Sequence, residues 1–124
     1  MSLTKRQAAR IEYEMTEKEL RESIQKAAQD LGWHYHYTWT QIHSSKGCPD
    51  LELLRDGKMF RWELKSQKGK VTDEQHEYMS FLGLVPGIDV RVVRPSNLEQ
   101  AYRALVEGDW VDGELLAKTE GVAP

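Results

Sequence analysis

Two acidic residues and a lysine stand where a short hairpin would bring them together. The stretch GCPDLELLRDGKMFRWELK contains an Asp56-Gly57 pair, a strong turn signal between two strand-like segments. Asp50 lies six residues before Asp56, and Glu63 lies six residues after Gly57, so the two carboxylates are expected to face each other. Opposed side chains in a hairpin lie within about 5 Å. Lys65, two residues beyond Glu63, projects on the same face.

This arrangement favours a divalent cation. Two carboxylates at that distance repel unless a positive charge separates them, and carboxylate oxygens suit a hard cation such as Mg²⁺. A cation held by Asp50 and Glu63 would activate water and neutralise charge on a reacting phosphate. Lys65 could then orient or deprotonate the water, or pair with the phosphate. The residues therefore outline a metal-dependent phosphodiesterase; the simpler alternative is a cross-strand ion pair.

The same residues resemble a known nuclease motif. Pro49-Asp50 followed by Glu63-Leu64-Lys65 resembles the PD-(D/E)XK pattern. The run G-x-P-D-L, E-L-K, a Gly/Lys loop and a helix-opening Gln75 is similar to the VRR-NUC (virus-type replication-repair nuclease) family, over about residues 16–106. The resemblance implies a Mg²⁺- or Mn²⁺-dependent DNA endonuclease acting in phage or bacterial replication and repair. Small members of the family resemble Holliday-junction resolvases and work as homodimers.

Carried over residue by residue, the resemblance assigns roles. Asp50 and Glu63 would be metal ligands, Lys65 the catalytic lysine, and the Leu64 carbonyl a further group within reach of the metal. Such folds often add an acid from the first helix, and five glutamates compete for that place: Glu12, Glu14, Glu17, Glu19 and Glu22. Helical spacing to Leu20 and Ile24 favours Glu17.

Other polar residues surround the predicted site. Gln75 is expected on the inner face of its helix and also forms part of a capping box, so it has both a catalytic and a structural interpretation. Three lysines flank the site and are predicted to contact DNA phosphates: Lys46, Lys68 and Lys70. A zinc site is an alternative use of the remaining possible ligands, but their spacing fits no structural zinc pattern. These are His34, His36, His43 and Cys48.

The elements that must position these residues follow in the order α-β-β-β-α-β-α. We expect an α/β domain with a restriction-endonuclease-like (PD-(D/E)XK) core, a mixed sheet flanked by helices. Residues 14–31 have helical periodicity, and alternating aromatics in residues 33–40 predict the first strand. Thr72-Asp73-Glu74-Gln75 and Ser96-Asn97-Leu98-Glu99 are predicted capping boxes for the later helices.

Length and composition indicate one domain. The division is an N-terminal arm over 1–15, the nuclease domain over 16–106 and an acidic C-terminal tail over 107–124. The net charge is −3, but residues 46–70 hold seven Lys and Arg against four acids, so a polyanion site remains possible there. No apolar run approaches the roughly 18 residues of a membrane span. A single cysteine and a polar N-terminus favour a cytoplasmic protein.

The expected partners are DNA, branched or duplex, and a second copy of the chain; no organic cofactor is expected. The homodimer has its own argument, because a small domain struggles to bury large aromatic residues such as Trp33, Tyr35, Tyr37, Trp39 and Trp62. A nicking, flap-cleaving or homing nuclease of the same fold is an alternative that the sequence leaves open. So is a DNA-binding module without activity, although the complete Asp50, Glu63 and Lys65 set argues against it.

Overall fold

The computed structural model describes residues 4–38 and 47–111. Its elements are α1 (Lys5–Glu14), α2 (Glu17–Asp30), β1 (His34–Tyr37), β2 (Leu51–Arg55), β3 (Lys58–Leu64), α3 (Asp73–Leu82), β4 (Ile88–Val93) and α4 (Leu98–Glu107), with a 3-10 turn at Pro95–Asn97. The strands form one sheet in the order β1-β2-β3-β4, antiparallel except for the parallel β3–β4 pair. The predicted α/β class with a mixed sheet flanked by helices is confirmed. Within these two ranges, no helix is long and apolar enough to cross a membrane.

The β2–β3 hairpin has the predicted register. Both turn residues have positive φ, 50° at Asp56 and 78° at Gly57, as a two-residue turn of type I′ requires. Leu51 pairs with Trp62 across the hairpin, and the next step of that register sets the two acidic residues side by side. The turn chemistry therefore fixes which side chains meet at the far end of the hairpin.

The hydrophobic core lies between one face of the sheet and helices α2 and α4. Leu20, Ile24 and Ala28 recur every four residues along α2 and are fully buried. Across the sheet face the rings of Trp33, Phe60 and Trp62 stack at centroid distances of 4.7 and 5.1 Å. The core extends past the predicted domain boundary at 106, because Trp110 is buried and meets Trp62 edge-on.

The aromatic residues of β1 do not form the exposed face on which the burial argument for a homodimer rested. Trp33 is 4% exposed, and Tyr35 and Tyr37 are half-buried against the core. Trp62 is fully buried, while Trp39 lies outside the described residues. The reason is that β1 joins the sheet with these side chains turned towards α2. The homodimer stays a prediction, supported by the family resemblance alone.

Helix α1 occupies most of the segment that the sequence predicted as an arm. Thr4 and Gln7 form a reciprocal capping box at its start, with hydrogen bonds of 2.9 and 3.1 Å. The helix contains no buried residue, which explains why it lacks the apolar stripe that identifies packed helices. Thr16 and Glu19 form a second such box, so the predicted helix over 14–31 begins at Glu17 instead.

The capping box predicted at Ser96 is wrong. Asn97 stands at the N-cap of α4, and its side chain instead accepts a hydrogen bond from the Arg94 N–H (2.8 Å) and donates one to the Val92 carbonyl (3.1 Å). Ser96 donates its N–H to Gln67 Oε1 at 3.0 Å. The 3-10 turn that begins at Pro95 makes Asn97, and not Ser96, the N-cap of α4. Ser96 and Glu99 therefore do not stand at the two positions that form a capping box.

Candidate active site

The two predicted carboxylates meet at the end of the hairpin away from its turn. The backbone N–H of Leu64 donates to Asp50 Oδ2 at 3.2 Å. The Asp50 carboxylate therefore replaces a backbone carbonyl as the hydrogen-bond acceptor at the end of the strand. Glu63 is 2% exposed, and within residues 4–38 and 47–111 its buried Oε1 receives no hydrogen bond. Lys65 Nζ lies 3.8 Å from the other oxygen, Oε2. The predicted Asp50, Glu63 and Lys65 group therefore forms one cluster.

Gln75 joins this cluster from the first turn of α3. Its Oε1 accepts the Thr72 N–H at 2.9 Å and its own N–H donates to Thr72 Oγ1 at 3.1 Å, so the predicted capping box is confirmed. The same side chain donates from Nε2 to Glu63 Oε2 at 3.0 Å. One glutamine therefore both begins the helix and orients the buried carboxylate, and its two anticipated roles are compatible.

Burial raises the pKa of both carboxyl groups. Desolvation, followed by the charge of Asp50, raises the pKa of Glu63 to about 8, against the opposing effect of Lys65. Desolvation also raises the pKa of Asp50, although the Leu64 N–H, Glu63 and Lys65 act to lower it. The two groups are close enough to share a hydrogen bond. A proton or a cation is needed between them, because two bare carboxylates are costly at this distance.

The turn that precedes Asp50 is pressed against the start of α3. Gly47 has φ of +87°, and a Cβ at this position would collide with the carbonyl oxygen of Glu74. Only glycine combines this backbone conformation with so close an approach. The glycine of the G-x-P-D run thus lets the turn carrying Asp50 and the helix end carrying Gln75 come together.

The loop after Lys65 is held by Arg94, a residue that the sequence analysis did not single out. Its Nη1 donates to three backbone carbonyls of that loop, Ser66 at 2.8 Å, Gln67 at 3.4 Å and Gly69 at 2.6 Å. The loop presents two of the lysines predicted to contact DNA. Its shape therefore depends on a guanidinium that follows β4, about 25 residues later in the chain.

The predicted DNA-contacting lysines lie in different surroundings. Lys68 and Lys70 are exposed, and Lys68 Nζ lies 5.0 Å from the ring centroid of Tyr13 on α1. Lys46 lies outside the described residues. An exposed ammonium is suited to a phosphate, and a cation–π contact with one tyrosine holds Lys68 only weakly at an exposed site.

Glu17 does not complete a three-carboxylate metal site. It is exposed at the first position of α2, and its negative charge is close enough to contribute to the raised pKa of Glu63. Within the described ranges, however, no group of three His, Cys, Asp or Glu side chains is arranged to hold a metal ion. The other competing glutamates of α1 and α2 bring no third ligand either, so any cation would rest mainly on the pair.

The same result applies to the alternative zinc ligands. His34 and His36 are exposed on β1, and His43 lies outside the described residues. Cys48 accepts a hydrogen bond from Arg61 Nη2 at 3.1 Å. The structure therefore gives no support for a zinc site among residues 4–38 and 47–111.

Arg21 is a second cation near the cluster that the sequence analysis passed over. Its guanidinium carbon lies 4.4 Å from the ring centroid of Tyr37, and Nη1 donates to the Tyr37 hydroxyl at 3.2 Å. Its charge helps to lower the pKa of Asp50, against the larger effect of burial. A helical position that faces a strand end is visible only once β1 is placed in the sheet, so no local signal pointed to it.

Comparison with known proteins gives no match: no family model, no curated protein and no solved structure is significantly similar to the chain.

Proposed function

We propose that the chain is a small metal-dependent DNA endonuclease with a PD-(D/E)XK core of the VRR-NUC type. The observation that carries the proposal is the pairing of Asp50 with Glu63, at the strand ends of one hairpin, with Lys65 3.8 Å from the buried carboxylate. These are the residues that the motif P-D…E-L-K selects. An ion pair with a purely structural role would need neither a second acid beside Glu63 nor a glutamine that donates to it.

The donor set fits a hard divalent cation. Glu63 Oε1 is buried and receives no hydrogen bond from the described residues, and its neighbour Asp50 is held with one oxygen on the Leu64 N–H. Mg²⁺ is commonly held by one or two carboxylates, together with waters and substrate phosphates, so a pair suffices. When bound, Mg²⁺ or Mn²⁺ supplies Lewis acidity and lowers the pKa of water. Asp50 and Glu63 would hold it, and the Leu64 carbonyl is the further candidate ligand that the resemblance implies.

The chain's own residues then have separable tasks. Gln75 fixes the Glu63 side chain through Oε2, leaving Oε1 for the cation. Lys65, with its side chain 13% exposed, keeps an ammonium at the edge of the cluster that can hold an attacking water or a phosphate oxygen. Lys68 and Lys70 supply exposed positive charge for the DNA backbone on the same side.

The preference for branched DNA and the homodimeric state rest on the family resemblance. A Holliday-junction resolvase would act as a homodimer, presenting two sites to two strands. Within the described ranges, three exposed apolar side chains lie close together in sequence: Phe81, Leu84 and Val85, of which Val85 is the least exposed at 44%. Phe81 lies in the last turn of α3 and Leu84 and Val85 follow the helix, away from the aromatic residues first expected to form the dimer interface.

The test is a panel of labelled DNAs: linear duplex, nicked duplex, flap and four-way junction. Each is incubated with the purified protein and Mg²⁺, Mn²⁺ or EDTA. We expect cleavage that requires the metal ion and is strongest on the branched substrates. Cleavage that persists in EDTA, or no cleavage of any member with either metal, would contradict the proposal. Equal cleavage of linear and branched DNA would leave the endonuclease and remove the resolvase.

A further inference from the structure

One cation without an assigned role, Arg21, lies on the opposite side of the carboxylate cluster from the loop that carries Lys68 and Lys70, here called the basic loop. The strand order β1-β2-β3-β4 sets Tyr37 of β1 beside β2. The backbone confirms this neighbourhood, since the Thr38 N–H donates to the Asp50 carbonyl at 2.7 Å. Arg21, stacked on Tyr37, therefore lies on the β1 side. The loop over 66–69 lies on the β4 side, because it is held by Arg94, the residue that follows β4.

Arg21 is ordered by an aromatic ring and not by an acid. Glu17 precedes it by four residues on α2, the spacing at which helical ion pairs form. In the part of the chain that the structure describes, however, no carboxylate lies within 4.0 Å of the Arg21 guanidinium. Its contacts there are the Tyr37 ring at 4.4 Å and the Tyr37 hydroxyl at 3.2 Å. One face and one N–H are thus occupied.

The remaining donors of the guanidinium make a ready site for an anion. Arginine carries five N–H donors in a planar fork that matches phosphate geometry and stays charged at any relevant pH. Stacking on a ring fixes the plane of that fork before the ligand arrives, which lowers the ordering cost of binding. Arg21 is only half-buried, so its free edge can be reached by a polymer that enters the carboxylate cluster.

We propose that Arg21, held by Tyr37, binds a backbone phosphate of the DNA strand that is cleaved, next to the scissile phosphate. This inference rests on the proposed function and deepens it, because it gives the substrate a second anchor on the β1 side of the site. The DNA strand would then run along the edge of the sheet at which Tyr37, Asp50 and Glu63 lie at the ends of their strands, with Arg21 on one side and the basic loop on the other. Arg21 is thereby a substrate-binding residue.

The test is the salt dependence of DNA binding, measured in EDTA so that no cleavage occurs. Fluorescence anisotropy of a short labelled duplex gives the binding constant between 50 and 200 mM salt, the range over which phosphate contacts weaken strongly. We compare Arg21→Gln with Arg21→Lys, Tyr37→Phe and the matched control Lys26→Gln, which removes an exposed charge elsewhere on the same helix. Each lost phosphate contact lowers the slope of log K against log salt by roughly 0.9.

We expect Arg21→Gln to lower the slope by that amount while Lys26→Gln leaves it unchanged. Arg21→Lys should keep the slope and bind less tightly, because it retains the charge without the planar fork. Tyr37→Phe should keep the slope as well, since the ring stays beneath the guanidinium. An unchanged slope in Arg21→Gln, an equal loss in Lys26→Gln, or no DNA binding by the unaltered protein in EDTA would overturn the inference. Cleavage by the unaltered protein decides the proposed function separately.

Discussion

Gln75 donates a hydrogen bond from Nε2 to Oε2 of Glu63 at 3.0 Å, while the opposite end of the same amide caps α3. The helix start and the orientation of the buried carboxylate are therefore set by one side chain. Moving the helix by a fraction of a turn would also move the group that orients Glu63. This coupling explains why a structural glutamine and a site glutamine need not be different residues.

Gln75→Glu tests this coupling directly. The glutamate keeps an oxygen for the Thr72 N–H and so preserves the cap, but it cannot donate to Glu63 and adds a like charge beside it. We expect metal-dependent cleavage to fall roughly 10- to 100-fold, as when a partner of a metal ligand is lost. Circular dichroism should report an unchanged helix content.

The matched control for that variant is Gln7→Glu. Gln7 makes the same pair of capping hydrogen bonds with Thr4, but on α1 and with no contact to the carboxylate cluster among its described hydrogen bonds. Its activity should equal that of the unaltered protein. Equal activity in Gln75→Glu and Gln7→Glu would mean that Gln75 serves the helix only.

Gly47→Ala should disrupt the site through the backbone. The added Cβ meets the Glu74 carbonyl and must also adopt φ of +87°. Gly87 has a similar φ of +85° with no atom near its missing Cβ, so Gly87→Ala carries only the conformational penalty, about 1–2 kcal/mol. We expect Gly47→Ala to lose more stability than Gly87→Ala in urea unfolding. Similar losses would contradict the close approach of the two segments.

The stability of the metal-free protein should depend on pH through Glu63. Its pKa is raised from 4.5 to about 8 in the folded state, so the folded protein binds the proton more tightly than the unfolded chain does. The free energy of unfolding should therefore fall as pH rises from about 5 to 8, by at most about 1.4 kcal/mol per pH unit for one proton. Urea unfolding in EDTA measures this slope.

Two additions sharpen the pH measurement. Glu63→Gln carries no titrating group and should flatten the dependence over that window. Mg²⁺ should stabilise the unaltered protein increasingly towards pH 8, because it favours the ionised carboxylates that protonation opposes. A stability that rises between pH 5 and 8 in EDTA would show that the raised pKa of Glu63 does not govern this range.

The basic loop should govern affinity more than turnover. Lys68→Ala with Lys70→Ala should lower the slope of log K against log salt by up to roughly 1.8 if both lysines contact phosphates of duplex DNA. The rate of cleavage of saturating DNA should change little. Arg103→Ala, which removes an exposed charge from α4, serves as the control. An unchanged slope in the double variant would show that the loop does not contact the backbone.

The hairpin was the part of this fold most readily predicted, because its register follows from a two-residue turn whose positive φ values only a few residue types adopt. Asp50, Glu63 and Lys65 were placed by counting from that turn. The helix start at Thr72 followed from a four-residue box. Each of these inferences depends on residues close together in the chain.

What the sequence did not yield depends on contacts between distant segments. Arg94 follows β4 and contacts the loop after β3, its parallel neighbour, and Tyr37 comes beside Arg21 only when β1 packs against α2. The Ser96 box failed because Asn97 bonds to the end of β4 in preference to the helix. Helix α1 was missed because its segment is polar with little apolar periodicity, although Thr4 and Gln7 form a capping box at its start.

The most direct measurement is cleavage of the best substrate of the DNA panel in Mg²⁺ by Asp50→Asn, beside its control Asp56→Asn. Both changes remove one carboxylate charge, but Asp56 lies at the hairpin turn, exposed and with φ of 50°, which asparagine tolerates. We expect Asp56→Asn to retain full activity. Asp50→Asn, still folded by circular dichroism, should lose more than the roughly 100-fold typical of an outer partner of a metal site. Full activity in folded Asp50→Asn would contradict the assignment of the carboxylate pair as the catalytic centre.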